Sequence, residues 1–145
     1  MSEELYDRQI IAAAREAGAA QRLAAPDVTV EEDNPLCGDR IALDLALADG
    51  RVAGIGHKTR GCLLTRAAAA LLARRAPGAD AAALRRAIAD LEALLAGDPA
   101  PPAWPELTMF APVRAVRSRH DCVRLPFLAL ARALDALDRR EGGAR

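Results

Sequence analysis

Three cysteines carry the most reactive chemistry in this sequence: Cys37, Cys62 and Cys122. A thiolate attacks sulfur and binds soft or borderline metals, so three thiols in one chain direct attention to metal or sulfur chemistry. Cys37-Gly38-Asp39 sets a carboxylate two residues from a thiol. The glycine between them lets the backbone turn sharply enough for both to face one ion. Cys62 follows Gly61 at the start of an expected helix, and Cys122 stands at the start of another. Free N–H groups and the helix dipole at such positions favour thiolate over thiol. Three thiolates and one aspartate suit a tetrahedral zinc site or an iron–sulfur cluster equally. The gaps of 25 and 60 residues match no CxxC finger or ribbon, so spacing alone leaves small buried core cysteines as an open alternative.

Three neighbours of Cys122 extend the set of candidates. Arg119 offers a guanidinium to offset the surplus negative charge of a thiolate and carboxylate site. His120 offers a neutral imidazole as a supporting donor or an alternative ligand. Asp121 offers a further carboxylate, against the plainer reading of an acid stabilised by a helix N-terminus.

The elements that must hold these residues read as α+β. Ile10, Ala13 and Ala17, with Leu5 and Tyr6, recur near a 3.6-residue period and predict a helix ending around Gly18. A short strand is expected at Val28 to Val30. Ile41, Leu43, Leu45 and Leu47 alternate with smaller or polar residues, and Asp49-Gly50 supplies a two-residue turn into a strand over Arg51 to His57. From Cys62 the pattern is helical through Leu71 until Pro77-Gly78. Asp80 can cap a helix carrying Leu84, Ile88, Leu91 and Leu95. Pro99, Pro101, Pro102 and Pro105 mark a surface loop, and Val123, Phe127, Leu130, Leu134 and Leu137 predict a last helix with Pro126 in its first turn. The expected architecture is a small antiparallel three-stranded sheet with helices packed on one face and the thiols converging at one end.

Length and composition set the bounds. At 145 residues the chain suits one domain over 1–145, with an ordered core at about 5–138. The hydrophobic share of 52% is rich in alanine, and the aromatic share of 3% leaves few large side chains for the core. Twenty basic and twenty acidic residues cancel, which argues against nucleic acid or an anionic membrane as partner. Met1 to Asp7 lacks the pattern of a secretory signal, and no stretch has the length of a membrane span, so a cytoplasmic protein is expected. An odd number of cysteines in that reducing compartment argues against a disulfide framework.

A family resemblance draws the motifs together. Asn34-Pro35-Leu36-Cys37-Gly38-Asp39 resembles the signature that opens the iron–sulfur cluster assembly family of IscU, SufU and the N-terminal domain of NifU. Gly61-Cys62-Leu63-Leu64-Thr65-Arg66-Ala67 resembles its second motif, and Ser118-Arg119-His120-Asp121-Cys122-Val123-Arg124-Leu125-Pro126-Phe127 its third. Leu5-Tyr6 matches the usual N-terminal helix, and the resemblance runs from about Leu5 to Leu137. It implies a SufE/NifU-like fold and ligand positions at Cys37, Asp39, Cys62 and Cys122. The long gap before Cys122 and the lack of a Leu-Pro-Pro-Val-Lys motif resemble a SufU-like or divergent NifU-like member. Asp121 stands where the IscU branch has histidine and the SufU branch lysine; His57, Thr59 and Ala13 also depart from the usual pattern.

By that resemblance the chain is a carrier rather than an enzyme. As a scaffold it receives iron, and sulfur from a cysteine desulfurase, holds a transient cluster of the [2Fe-2S] type, and passes it to recipient apo-proteins. As a SufU-like protein it holds Zn2+ and accepts persulfide sulfur; the resemblance leaves the accepting cysteine open, and Cys122, after a segment expected to be flexible, is the expected acceptor. A metal-stabilised interaction domain is the third reading. A cysteine-nucleophile enzyme ranks last, because only two histidines exist to serve as base.

Overall fold

The computed structural model describes residues 8–143, so Leu5 and Tyr6 lie outside the described residues. Helix α1 spans Arg8–Ala17 and is followed by a meander of three strands, β1 (Val28–Asn34), β2 (Asp39–Ala48) and β3 (Arg51–Arg60). Helices α2 (Leu63–Arg75) and α3 (Ala81–Ala96) come next, then a 3-10 segment at Pro105–Ala115, a single turn at Arg117–Arg119 and helix α4 (His120–Gly143). The sheet order is β1-β2-β3, antiparallel throughout. The three-stranded α+β architecture read from the sequence is the one observed.

Both hairpin turns follow from residues that tolerate the left-handed region. Asp49 at φ 55° and Gly50 at φ 76° make the tight β2–β3 turn, which requires positive φ at both positions. The β1–β2 turn is less obvious in sequence. β1 continues past the expected Val30 as far as Asn34, which pairs with Asp39, so Pro35 to Gly38 form the turn. The N–H groups of Cys37 and Gly38 both donate to the Asn34 carbonyl, and Gly38 takes φ 73°. The Cys-Gly-Asp motif therefore straddles a turn and the first residue of a strand.

Strand alternation decides what faces the helices. Asp39, Ile41, Leu43 and Leu45 of β2 are buried on the inner face, with Thr59 and His57 of β3 opposite Ile41 and Leu43. Helix α2 supplies a nearly all-round buried surface, Leu64 through Leu72, half of it alanine. Such small side chains let α1, β3 and α4 approach α2 closely, and this offsets the scarcity of aromatic residues. Helix α4 packs across β1 and β2 through Val123, Phe127, Leu130 and Leu134, and Trp104 meets Phe127 with ring centroids 6.3 Å apart. No helix among the described residues is long and apolar enough to cross a membrane.

One sequence expectation needs correction, and one element has no counterpart in the sequence pattern. Pro126 is the seventh residue of α4 rather than part of its first turn, because the helix already begins at His120. It removes the N–H that would have bonded the Cys122 carbonyl. The proline-rich loop gives way at Pro105 to an eleven-residue 3-10 segment whose Leu107, Phe110 and Val113 are fully buried. Proline at its first position suits a helix start, and Pro112 inside it removes another N–H donor.

The outer face of the sheet is locked by Asp44, which has almost no exposed surface. Arg22 donates to it through Nε at 2.6 Å and a terminal nitrogen at 2.9 Å, the Thr29 hydroxyl at 2.6 Å, and the Leu23 N–H at 3.0 Å. The segment after α1 is thereby strapped across β2 and β3, and Gly56 beneath it has no room for a side chain, with a Cβ falling 2.5 Å from the Gln21 carbonyl oxygen. The Arg22 hydrogen bond, opposed by burial and helped by Thr29 and Leu23, holds the Asp44 carboxyl down at about 2. A lowered folded-state pKa contributes stability that is present above the unfolded value and lost as pH falls through the folded one. Wild type should therefore lose about 2 kcal/mol more than Asp44→Asn between pH 5 and pH 2, read as unfolding free energy in urea titrations.

Candidate metal centre

The β1–β2 turn, the end of β3 and the first turns of α2 and α4 meet at one end of the sheet. Cys37 comes from the turn, Asp39 from the first residue of β2, Cys62 from the N-cap of α2 and Cys122 from the first turn of α4. One ligand atom each from Cys37, Asp39 and Cys122 lies within 4.8 Å of the other two. Cys62 stands beside them: its backbone N–H donates to Asp39 Oδ1 at 3.3 Å, and its thiol interacts with that of Cys122. The four residues expected as ligands are thus brought to one place from three separate parts of the chain.

Asp39 is 2% exposed and its carboxylate is fixed from two sides. Oδ1 accepts from the Cys62 N–H, and Oδ2 accepts from the Thr65 hydroxyl at 3.0 Å, one turn into α2. The Cys62 sulfur is 3.6 Å from the same hydroxyl. Thr65 has no exposed surface and is the positioning residue that the sequence reading quoted only as part of a motif. Threonine three residues after a helix-start cysteine was the available signal, since that spacing returns a side chain to the helix's first turn. Gly61 completes the arrangement, because a Cβ there would lie 2.5 Å from Asp39 Oδ1.

The three thiols differ in access. Cys37 is exposed, Cys62 half-buried, and Cys122 has no exposed surface. Burial, then the neighbouring Cys62 and Asp39, push the Cys122 thiol well above its ordinary range. A thiol so placed keeps its proton until a cation replaces it. The α4 N-terminus, expected to favour thiolate at Cys122, is outweighed by desolvation and by its negative neighbours. The segment before Cys122 is ordered in 3-10 turns, so the expected acceptor lies under a closed surface, and the accessible thiol is Cys37.

Of the neighbours of Cys122, His120 has a structural role and Asp121 is exposed. His120 Nε2 donates to the carbonyls of Val113 and Arg114, each at 3.1 Å, and so ties α4 to the end of the 3-10 segment. Asp121 is exposed and faces Arg124 at 3.4 Å, which also holds Glu92. Arg119 is half-buried in the turn leading to α4. His57 is buried inside the sheet, with Nδ1 2.8 Å from the Thr59 hydroxyl and burial pushing its pKa down.

The donor set fits a metal. Ligand atoms around one tetrahedral zinc ion sit about 3.8 Å apart, given Zn–S bonds near 2.3 Å. A group already within 4.8 Å needs only a small contraction to reach that. The same sulfur-rich shell with one oxygen also suits iron.

Comparison with known proteins defines the class. The family model of the NifU-like N-terminal domain matches residues 8–109, and the chain belongs to that family. That match contains Cys37, Asp39 and Cys62 and ends before Cys122. Among solved structures, the N-terminal NifU-like protein from Brucella abortus superposes with a TM-score of 0.84 at 30% identity, covering 94% of this chain and 96% of that one. A putative iron–sulfur cluster assembly scaffold protein for the SUF system from Fervidobacterium islandicum shares the fold, with a TM-score of 0.80 at 17% identity over 92% of this chain and 99% of that one. No curated protein sequence matches the chain.

Replacing Thr65 by valine keeps the shape and removes the hydroxyl that holds Asp39. The buried carboxylate loses one of its two fixed donors, and Thr65→Val should cost about 1–3 kcal/mol of unfolding free energy. Gly61→Ala, which pushes on the same carboxylate, should weaken Co2+ binding at least about tenfold, a loss of about 1.4 kcal/mol. Cobalt–thiolate absorption reads that change directly.

Proposed function

We propose that this protein is an iron–sulfur cluster assembly scaffold that collects iron and sulfur on Cys37, Asp39, Cys62 and Cys122 and releases the cluster to apo-proteins. The observation that carries the reading is the convergence of Cys37, Asp39 and Cys122 within 4.8 Å, with Cys62 alongside, in a chain of the NifU-like N-terminal family. Its structural relatives, an N-terminal NifU-like protein and a putative assembly scaffold protein for the SUF system, support the same role.

The site's layout suits cargo rather than a permanent structural ion. A site that only stabilises a fold is closed on all sides. Here Cys37 is exposed on a turn, next to Leu36, whose side chain is 92% exposed. Iron and sulfur can enter and leave by that side, while Asp39, Cys62 and Cys122 hold the inner positions. Cys37 is then the thiol that meets a cysteine desulfurase first, and a recipient protein last. An oxygen ligand among sulfurs also makes a weaker shell than four thiolates, which favours release.

A second reading has its own support. The donor group is compact enough for one tetrahedral ion, as a zinc-bearing sulfur acceptor requires. In that reading Cys37, Asp39, Cys62 and Cys122 hold zinc, which supplies a thiolate-stabilising charge, and the exposed Cys37 takes up persulfide sulfur. Both readings make the protein a carrier.

Protein purified without oxygen, after incubation with ferrous iron, cysteine, a cysteine desulfurase and a thiol reductant that converts the persulfide sulfur to sulfide, should contain iron and acid-labile sulfide in about equal amounts and absorb in the visible. Cys37→Ser should retain no more than about a tenth of that cluster, since a hydroxyl is a far poorer ligand for iron than a thiolate. Stoichiometric zinc without sulfide, together with faster desulfurase turnover, would replace the scaffold reading with the sulfur-acceptor one. Neither metal nor sulfide in any preparation would sink both.

A further inference from the structure

The outer face of the sheet, opposite the helices, carries a cleft of about 600 Å3. Its floor is the cross-strand row Glu31, Ala42 and Lys58, and Arg40 pairs with Arg60 in the next row. One wall is the end of α1 and the strap after it, at Ala17, Gly18 and Arg22, and the far end is Gly61 and Arg66. The methyl group of Ala42 at the centre of the floor leaves the space open between longer side chains.

Charge in this cleft is one-sided. Five basic side chains line it against one acid, Glu31. Arg22 is neutralised by Asp44, and Arg40 reaches Glu31 at 3.3 Å and Asp33 at 3.5 Å. Three cations are left over. Lys58 and Arg60 are exposed and have no hydrogen-bond or ion-pair partner among the described residues, and Arg66 donates only to the Ala14 carbonyl at 3.2 Å. Elsewhere Arg74, Arg75, Arg85, Arg86, Arg124 and Arg132 each hold a carboxylate. Uncompensated cations gathered in a concave site of this size favour a small anion of high charge. Guanidinium groups match the planar, paired oxygens of carboxylate and phosphate, and Lys58 adds a point charge from the floor.

We infer that this cleft binds a small polyanion bearing carboxylate or phosphate groups, held by Lys58, Arg60 and Arg66. The concavity selects a compact ligand over a flat partner surface. Gly61 lines the end of the cleft, and a Cβ on it would fall 2.5 Å from Asp39 Oδ1, so the cleft ends beside the carboxylate, and none of the three cysteines lines it. The inference is independent of what the thiols carry, and its test uses metal-free protein.

Lys58 is the only lysine in the chain, so its acetylation by an amine-reactive reagent, mapped by mass spectrometry, reports occupancy of the cleft floor. Pyrophosphate and citrate are the probes, with calorimetric titration at two salt concentrations alongside. Pyrophosphate or citrate should bind with Kd below about 1 mM and slow Lys58 acetylation at least about fivefold, more so at low salt. Arg60→Ala and Lys58→Ala should each weaken binding about tenfold, Lys58→Arg should restore most of it, and Arg139→Ala on the exposed end of α4 should change nothing. Both positions are exposed, so folding is not at stake, and circular dichroism checks it. No protection by either anion, or equal weakening by Arg139→Ala, would overturn the inference. So would protection by a polyglutamate peptide alone, which would make the cleft a docking site for an acidic protein segment.

Discussion

The position of the Asp39 carboxylate constrains the whole site end of this molecule. A buried carboxylate is costly unless donors surround it, and the fold supplies them from the first turn of α2: the Cys62 N–H and the Thr65 hydroxyl. Those two hydrogen bonds fix α2 against the start of β2. They also bring Cys62 beside Cys122, because Cys62 is the N-cap of the same helix. Gly61 is required by this closeness, since any side chain there would occupy the carboxylate's place. Three residues of one motif, Gly61, Cys62 and Thr65, therefore serve a single aspartate 22 or more positions earlier in the chain.

The alanine-rich composition has its explanation in the same geometry. Helix α2 begins at the site and then runs through the centre of the domain, in contact with α1, β3 and α4. Ala67, Ala68, Ala69 and Ala70 cover its whole circumference with small side chains, all of them buried. A helix hydrophobic all round is a central helix, and small residues on it allow three neighbours to approach at once. The large side chains are supplied by the elements around it: Ile10, Ile41, Leu43, Phe110, Phe127 and Leu130. An apolar content that looked inflated by alanine is thus the core's central layer.

Much of this was legible in sequence because the governing rules are local. Strand alternation in Ile41 to Leu47 and the Asp49-Gly50 turn give the β2–β3 hairpin from a dozen residues, and the 4, 3, 4 spacing of Leu84 to Leu95 gives α3. The thiol and carboxylate set was found from residue chemistry and from motif resemblance. What escaped was set by tertiary contacts. The 3-10 segment at Pro105–Ala115 has two prolines and no helical period, and it forms because Leu107, Phe110 and Val113 seal the core. The length of β1 depends on pairing with β2, since Glu31, Glu32, Asp33 and Asn34 have little strand propensity of their own. The burial of Cys122 was invisible for the same reason, and the dipole argument for a ready thiolate there considered only the helix it opens.

Overall neutrality is a statement about the far field, and this protein shows how little it says about the near one. Twenty positive and twenty negative charges cancel at distances where screening would hide them in any case, since the Debye length at physiological salt is about 8 Å. Within that length the charges are sorted. Six arginines on the helices are spent against carboxylates, and Asp44 consumes Arg22. The open face of the sheet keeps Lys58 and Arg60 without an ion-pair partner among the described residues. Zero net charge argues only against long-range attraction of nucleic acid or membrane, because that needs a field extending beyond the screening length. It has no bearing on a ligand small enough to enter a cleft and meet three cations at contact distance.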